Sequence, residues 1–189
     1  MRDLPVDDEL ISKMKAHNTF LVAATLSREL STYVFSEPAA MLDDVFFQRA
    51  VSPQTLATLK SKAYQEKVAA GMDAKHWREW LAVAQKNLKT LSDAGIKIGF
   101  GTDTGMPGRI QGYFEHLELD LMVKAGLSPM QVITDATRNA AEILGVAKDL
   151  GVLEQGKWAD LLVLGKNPLD NIRNTRTIES VYIAGNKVN

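Results

Sequence analysis

Gly95-Ile96-Lys97-Ile98-Gly99-Phe100-Gly101-Thr102-Asp103-Thr104-Gly105 is the run of sequence on which the fold turns. Ile96, Ile98 and Phe100 are strand-forming apolar residues, Gly95 is a stop for a preceding helix, and the glycine-rich sequel lets the backbone turn tightly. The stretch therefore reads as a buried strand with Asp103 at its carboxyl end, where open α/β sheets and α/β barrels keep their chemistry. An Asp that caps a turn or the next helix accounts for these residues equally well when they are taken alone.

Upstream, residues 73–94 set Trp77, Trp80, Leu81, Ala84, Leu88 and Leu91 on one face of a long helix that feeds the strand. The two Trp residues read as core. Residues 19–26 (Thr-Phe-Leu-Val-Ala-Ala-Thr-Leu) are apolar on both alternations, which predicts a strand covered on both faces, as parallel sheets require. Before it, Asp7, Asp8 and Glu9 open a helix with acids at its positive end and Leu10, Ile11 and Met14 on its apolar face, ending near Asn18. Helix followed by strand thus occurs twice, the signature of an α/β repeat.

Residues 27–71 form an excursion too long for an ordinary connection. Met41, Leu42, Val45 and Phe46 predict a helix across 38–51, and Ser52-Pro53 opens another with a cap and a Pro at the first position. An insert at a strand's carboxyl end serves as a lid or pocket wall, or as a packing or oligomer contact. After Asp103, a breaker-rich loop over 104–112 leads to a helix over 113–125 stopped by Gly126. Ser128-Pro129 opens the next helix, and Thr137-Arg138-Asn139 begins another that ends at Gly145. From Gly151 the chain changes character: residues 151–164 read as a turn into a strand, and turns at Asn167-Pro168 and Ala184-Gly185-Asn186 flank a second strand over 178–183. The boundary falls near Leu150, dividing an α/β part, 1–150, from a β appendix, 151–189.

With 189 residues, 46% of them hydrophobic, the chain can bury one good core, and its net charge of −1 gives no reason to expect a nucleic-acid or acidic-membrane partner. It has no Cys, hence no disulfides, no thiolate nucleophile and no Cys metal site. No long uncharged apolar run and no targeting segment is present in the chain, and its compartment stays undetermined. Neither G-x-G-x-x-G in a strand-turn-helix context nor a Walker-type Lys-Ser/Thr occurs. Of the three His residues, His17 reads as an exposed or helix-end cation, with a ligand role as the alternative, and His76 as solvent-facing, with a place in the pocket lining as the alternative. His116, close behind the loop, is the one placed to contact a substrate near Asp103, with a structural role as the alternative.

A family resemblance joins these pieces. Gly101-Thr102-Asp103, Glu115-His116-Leu117-Glu118-Leu119, Ala125-Gly126-Leu127-Ser128-Pro129, Ala136-Thr137-Arg138-Asn139-Ala140-Ala141 and Gly156-Lys157-Trp158-Ala159-Asp160-Leu161 follow one another in order. The series resembles the carboxyl-terminal half of the metal-dependent amidohydrolase superfamily, in its imidazolonepropionase and Xaa-Pro dipeptidase-like branch. The resemblance implies an α/β fold: the last two strands and surrounding helices of a (β/α)8 TIM barrel, with a β appendix belonging to a composite β-sandwich. Residues 19–26 would be the seventh strand and the run ending in Asp103 the eighth. It further implies that Asp103 is both a catalytic acid/base and a ligand of a divalent metal, zinc above all, in an enzyme cleaving C–N bonds of small amide or peptide substrates.

The departures matter as much. The family's His-x-His, its bridging carboxylated Lys and the His residues of the fifth and sixth strands have no counterpart among His17, His76 and His116. A hydrolytic zinc site needs about three protein ligands. Two expectations follow: a carboxyl-terminal piece of an amidohydrolase, inactive and weakly metal-binding alone, that self-associates or docks onto a complementary amino-terminal half; or a non-catalytic, partner-binding chain in which Asp103 is structural.

Overall fold

A computed structural model of the chain describes residues 3–22, 26–71, 74–105 and 108–188. It is a mixed α/β structure. Helix α1 (Asp8–Ala16) begins at Asp7, whose side chain accepts from Leu10 N–H, and closes at His17 and Asn18, the latter in the left-handed region at φ 49°. Strand β1 (Leu21–Val22) follows and pairs in parallel with β2 (Ile98–Gly99), Leu21 opposite Ile98 and Val22 opposite Gly99. Between them run α2 (Leu26–Ser31), α3 (Val45–Arg49), α4 (Pro53–Lys60), α5 (Lys62–Ala70) and the long α6 (Ala74–Asp93).

Three expectations are corrected here. The strand expected over 19–26 is paired only at Leu21 and Val22; residues 23–25 lie outside the described residues, and Leu26 already starts α2. Its predicted cover on both faces is also not seen at Val22, which is 53% exposed. The helix expected across 38–51 is two pieces, a 3-10 turn (Ala40–Asp43) and α3, because Asp44 is extended between them and turns its carboxylate onto Phe46 N–H as the cap of α3.

Beyond β2 come α7 (Tyr113–Lys124) and α8 (Pro129–Thr134), the latter opened by a capping box between Ser128 and Gln131. The separate helix expected to begin at Thr137 is instead a π-helical turn (Asp135–Asn139) that carries α8 without a break into α9 (Ala140–Ile143). The extra residue in that turn brings Asn139 to β2. Lys97 C=O accepts from Leu21 N–H across the parallel pair, so Ile98 turns its own carbonyl to the opposite edge, where Asn139 Nδ2 donates to it at 2.8 Å. Gly99 keeps this packing close, since a Cβ there would collide with Ile143 of α9.

The core gathers around α7, which is buried on several sides through Tyr113, Phe114, Leu117, Leu121 and Met122. Helices α2 and α6 pack on it and on each other, with Leu26, Leu88 and Leu91 fully buried. The tail forms an antiparallel sheet of β3 (Leu161–Leu164), β4 (Ile178–Ile183) and β5 (Asn186–Lys187), with a 3-10 turn (Ile172–Arg176) packed on α7. Arg173 fastens that turn by a two-pronged pair with Asp120, at 2.9 and 3.1 Å. No helix among the described residues is long and apolar enough to cross a membrane.

Candidate active site

Asp103 lies four residues past the end of β2 in a left-handed backbone conformation, φ 55°, uncommon for a residue with a side chain. The turn is held from both sides. Thr102 and Thr104 set their hydroxyls 3.0 and 2.7 Å from Glu115 Oε1, while Glu115 Oε2 accepts from Gly112 N–H at the start of α7. One carboxylate thus ties the strand end, the following loop and a helix terminus together. Asp103 itself is left outward, its side chain 56% exposed.

Two guanidinium groups converge on it. Arg109 Nη1 donates to Asp103 Oδ2 at 2.7 Å, and Arg28 Nε stands 3.5 Å from the same oxygen. Arg28 comes from α2, whose first residues are anchored by Glu118: its two carboxylate oxygens accept from Leu26 N–H at 2.9 Å and Ser27 N–H at 2.6 Å. Glu118 is wholly buried, and burial pushes its pKa up against the pull of those hydrogen bonds.

His116 is turned elsewhere. Its Nδ1 pairs with Thr175 Oγ1 at 2.8 Å and its ring meets Phe46 edge-on, in the seam between α7, α3 and the 172–176 turn. Burial, then the charge of Arg176, lower its pKa, with Glu115 opposing. Asp103 and His116 are therefore not joined by any contact among the described residues. His17 ends α1 and is exposed; His76 is exposed with its ring on Trp80.

At the other end of β2 a second carboxyl is unusual. Asp135 is buried, its Oδ1 accepts from Asn139 at 2.9 Å, and its Oδ2 has no hydrogen-bond partner among the described residues. Burial drives its pKa up to about 7. It lines a cavity of about 260 Å³ with Lys97, Ile98 and Gln131.

Sequence reasoning missed Arg28, Arg109, Glu115, Glu118 and Asp135 as contributors. For Glu115 a signal existed, an acid three residues after the Gly112 that closes a loop, in capping-box position. Among the described residues no group of three or more His, Asp or Glu side chains converges to hold a metal ion. Asp103 is engaged instead by Arg109 and Arg28.

An acid presented beyond the carboxyl end of a parallel strand, with helix and loop cations converging on it, is the polar feature at the strand ends of this α/β structure. The chain belongs to the amidohydrolase family, whose model matches residues 7–188. It is 34% identical over 108 residues to ochratoxinase of Aspergillus niger, covering 54% of this chain and 22% of that protein. To a 5-methylthioadenosine/S-adenosylhomocysteine deaminase of Bacillus thuringiensis it is 30% identical over 110 residues, 53% of this chain and 25% of the deaminase. Among solved structures, an Xaa-Pro dipeptidase with methionine in its active site superposes with a TM-score of 0.69 at 21% identity, over 96% of this chain and 37% of the dipeptidase. Phenylurea hydrolase B superposes with a TM-score of 0.63 at 25% identity, over 98% and 36%. The chain spans about a quarter of the curated relatives it matches and little more than a third of these two structures.

Proposed function

We propose that this chain is the carboxyl-terminal part of a metal-dependent amidohydrolase that cleaves a C–N bond in a small amide or dipeptide. In this reading β1 and β2 are the last two strands of a (β/α)8 barrel, and residues 151–189 belong to a β-sandwich completed by residues outside this chain. The observation that carries it is the placement of Asp103: beyond the carboxyl end of β2, outward, on a turn fixed by Glu115. A carboxylate held there can take a proton from a water and return it to the leaving nitrogen. In the complete enzyme it would also be one ligand of a divalent metal, zinc by preference, whose remaining ligands lie outside the described residues.

The similarity to an Xaa-Pro dipeptidase and to ochratoxinase supports a small amide-bearing substrate, and the short span of the chain against both supports its being a part. Reading the coding sequence upstream of Met1 for an in-frame His-x-His, then assaying the longer product for zinc and for Xaa-Pro hydrolysis, tests the proposal. The longer product is expected to retain zinc and turn over, and the 189-residue chain to do neither. No upstream His-x-His, or stoichiometric zinc with turnover in the 189-residue chain alone, overturns it.

A further inference from the structure

The cavity of about 260 Å³ at the end of β2 away from Asp103 lies between residues 95–98 on one side and α8 with its π turn on the other. Hydrogen bonding leaves its polar lining with oxygens still to be satisfied. Asn139 uses both N–H groups of its amide, on Ile98 C=O at 2.8 Å and on Asp135 Oδ1 at 2.9 Å, and Thr134 gives its hydroxyl proton to Met130 C=O. Left to accept at the cavity are Asp135 Oδ2, which has no hydrogen-bond partner among the described residues, the Asn139 amide oxygen and the lone pairs of the Thr134 hydroxyl. Met130, which is exposed, adds an apolar wall.

The one cation among the lining residues does not answer Asp135. Lys97 carries its ammonium to Glu142 Oε2 at 2.5 Å and lies over the Phe20 ring. Asp93, one residue past the lining Ser92, is held by Lys89. Both pairs are neutral in themselves, so ionised Asp135 is the uncompensated charge of this lining. Burial sets its pKa at about 7, opposed by the Asn139 hydrogen bond and by no charged neighbour. An Asn at position 135 would offer Asn139 the same acceptor without a charge to bury, so the second oxygen and its charge serve nothing inside the described chain. A buried acid with a free oxygen beside a cavity is the arrangement of a site that awaits a charged donor.

We propose that this cavity is a binding site for an organic cation with N–H donors, a guanidinium or primary ammonium head, in which Asp135 Oδ2 is the charged acceptor and Thr134 and Asn139 are neutral ones. That chemistry comes from two sources, a free small molecule or a Lys or Arg side chain of another chain. The site is distinct from Asp103 and depends on neither metal nor hydrolysis.

The test is an NMR titration of the 189-residue chain, followed at the Asn139 side-chain amide at constant ionic strength. The probes are methylguanidinium, tetramethylammonium, which has the charge without N–H, and urea, which has N–H without the charge. At pH 8 methylguanidinium is expected to bind at least about tenfold more tightly than either, the scale of one charge-assisted pair. Because the cation pairs with the ionised carboxyl, its affinity should fall about tenfold from pH 8 to pH 6. No His lines the cavity, and the charged groups around Asp135 are Lys97, Glu142, Lys89 and Asp93. Asp135→Asn is expected to erase both the selectivity and the pH dependence, while Asp43→Asn, which alters an exposed acid held by Lys60 outside the cavity, leaves both intact. The pH comparison needs no variant, so the test stands even if Asp135→Asn does not fold. Sedimentation with and without methylguanidinium separates the two sources, and either result supports the site: an unchanged coefficient assigns it to a free molecule, release of a smaller species to a side chain of another chain. Equal binding of the three probes, an affinity unchanged between pH 6 and pH 8, binding retained in Asp135→Asn, or no binding of methylguanidinium overturns the proposal.

Discussion

Glu115 and Glu118, three residues apart on α7, fasten the carboxyl ends of the two parallel strands: Glu115 holds the threonines on either side of Asp103, and Glu118 holds the first two N–H groups of α2 beyond β1. One helix face thus sets the distance between Asp103 and Arg28. Replacing Glu118 by Ala would leave the N–H groups of Leu26 and Ser27 buried without acceptors and open a void beside them. Chemical denaturation should show a loss of about 2–4 kcal/mol, with Glu118→Gln losing less because it keeps one acceptor oxygen. An unchanged midpoint in Glu118→Ala would mean that α2 is anchored by other contacts.

How much of this was legible follows from where each signal sits. Gly95 announced the end of α6 and the apolar alternation announced β2 with an acid beyond it, because helix stops and strand ends are written in neighbouring residues. The break at Asp44 was hidden because an Asp inside an apolar helical pattern looks like a solvent-facing residue until its side chain is seen capping α3. The π turn was hidden for a tertiary reason: what holds it open is Asn139 reaching the carbonyl of Ile98, and no local pattern encodes that contact. Arg28 and Arg109 likewise acquire meaning only through a carboxylate that the fold brings to them.

Asp135 makes stability depend on pH in a defined sense. Its folded pKa, about 7, lies above the ordinary 3.8, so between those values the folded chain keeps a proton that the unfolded chain releases. Stability should therefore fall as pH rises from about 4 to 7 and level off above. Asp135→Asn keeps an acceptor for Asn139 and carries no charge to bury; it should stabilise the chain by about 1–3 kcal/mol at pH 8, the gain vanishing below about pH 4. Urea titrations at four pH values check both the sign and the window. A gain independent of pH would remove Asp135 titration as its cause.

Asp103→Asn tests the assigned chemistry in the longer enzyme. The substitution preserves shape while removing the negative charge that Arg28 and Arg109 face. Turnover should fall about a hundredfold or more, the scale of a lost general base, with thermal unfolding little changed because the side chain is largely outside the core. Near-normal turnover would reduce Asp103 to a turn residue.

The last prediction concerns the surfaces this chain leaves open. Among the described residues the outer edge of β2 is met at Ile98 by a side chain rather than a strand, and Val22 of β1 is 53% exposed. In the tail, Leu162 of β3 stands opposite Val181 of β4, with Ile183 on the same face; Leu162 and Ile183 are 53% and 55% exposed. Apolar sheet faces and unpaired edges of this kind are covered by another chain or segment in stable proteins. We therefore expect the 189-residue chain to self-associate, its sedimentation coefficient rising with concentration. Leu162→Lys combined with Ile183→Lys should shift the chain toward monomer if the tail sheet is the contact, because a charged pair on that face opposes a second apolar sheet. If association persists in the double variant, the contact lies at the β1–β2 edges instead. A monomer at all concentrations, with both surfaces unaltered, would show that the exposed faces are tolerated and would remove the physical ground for a missing complementary half.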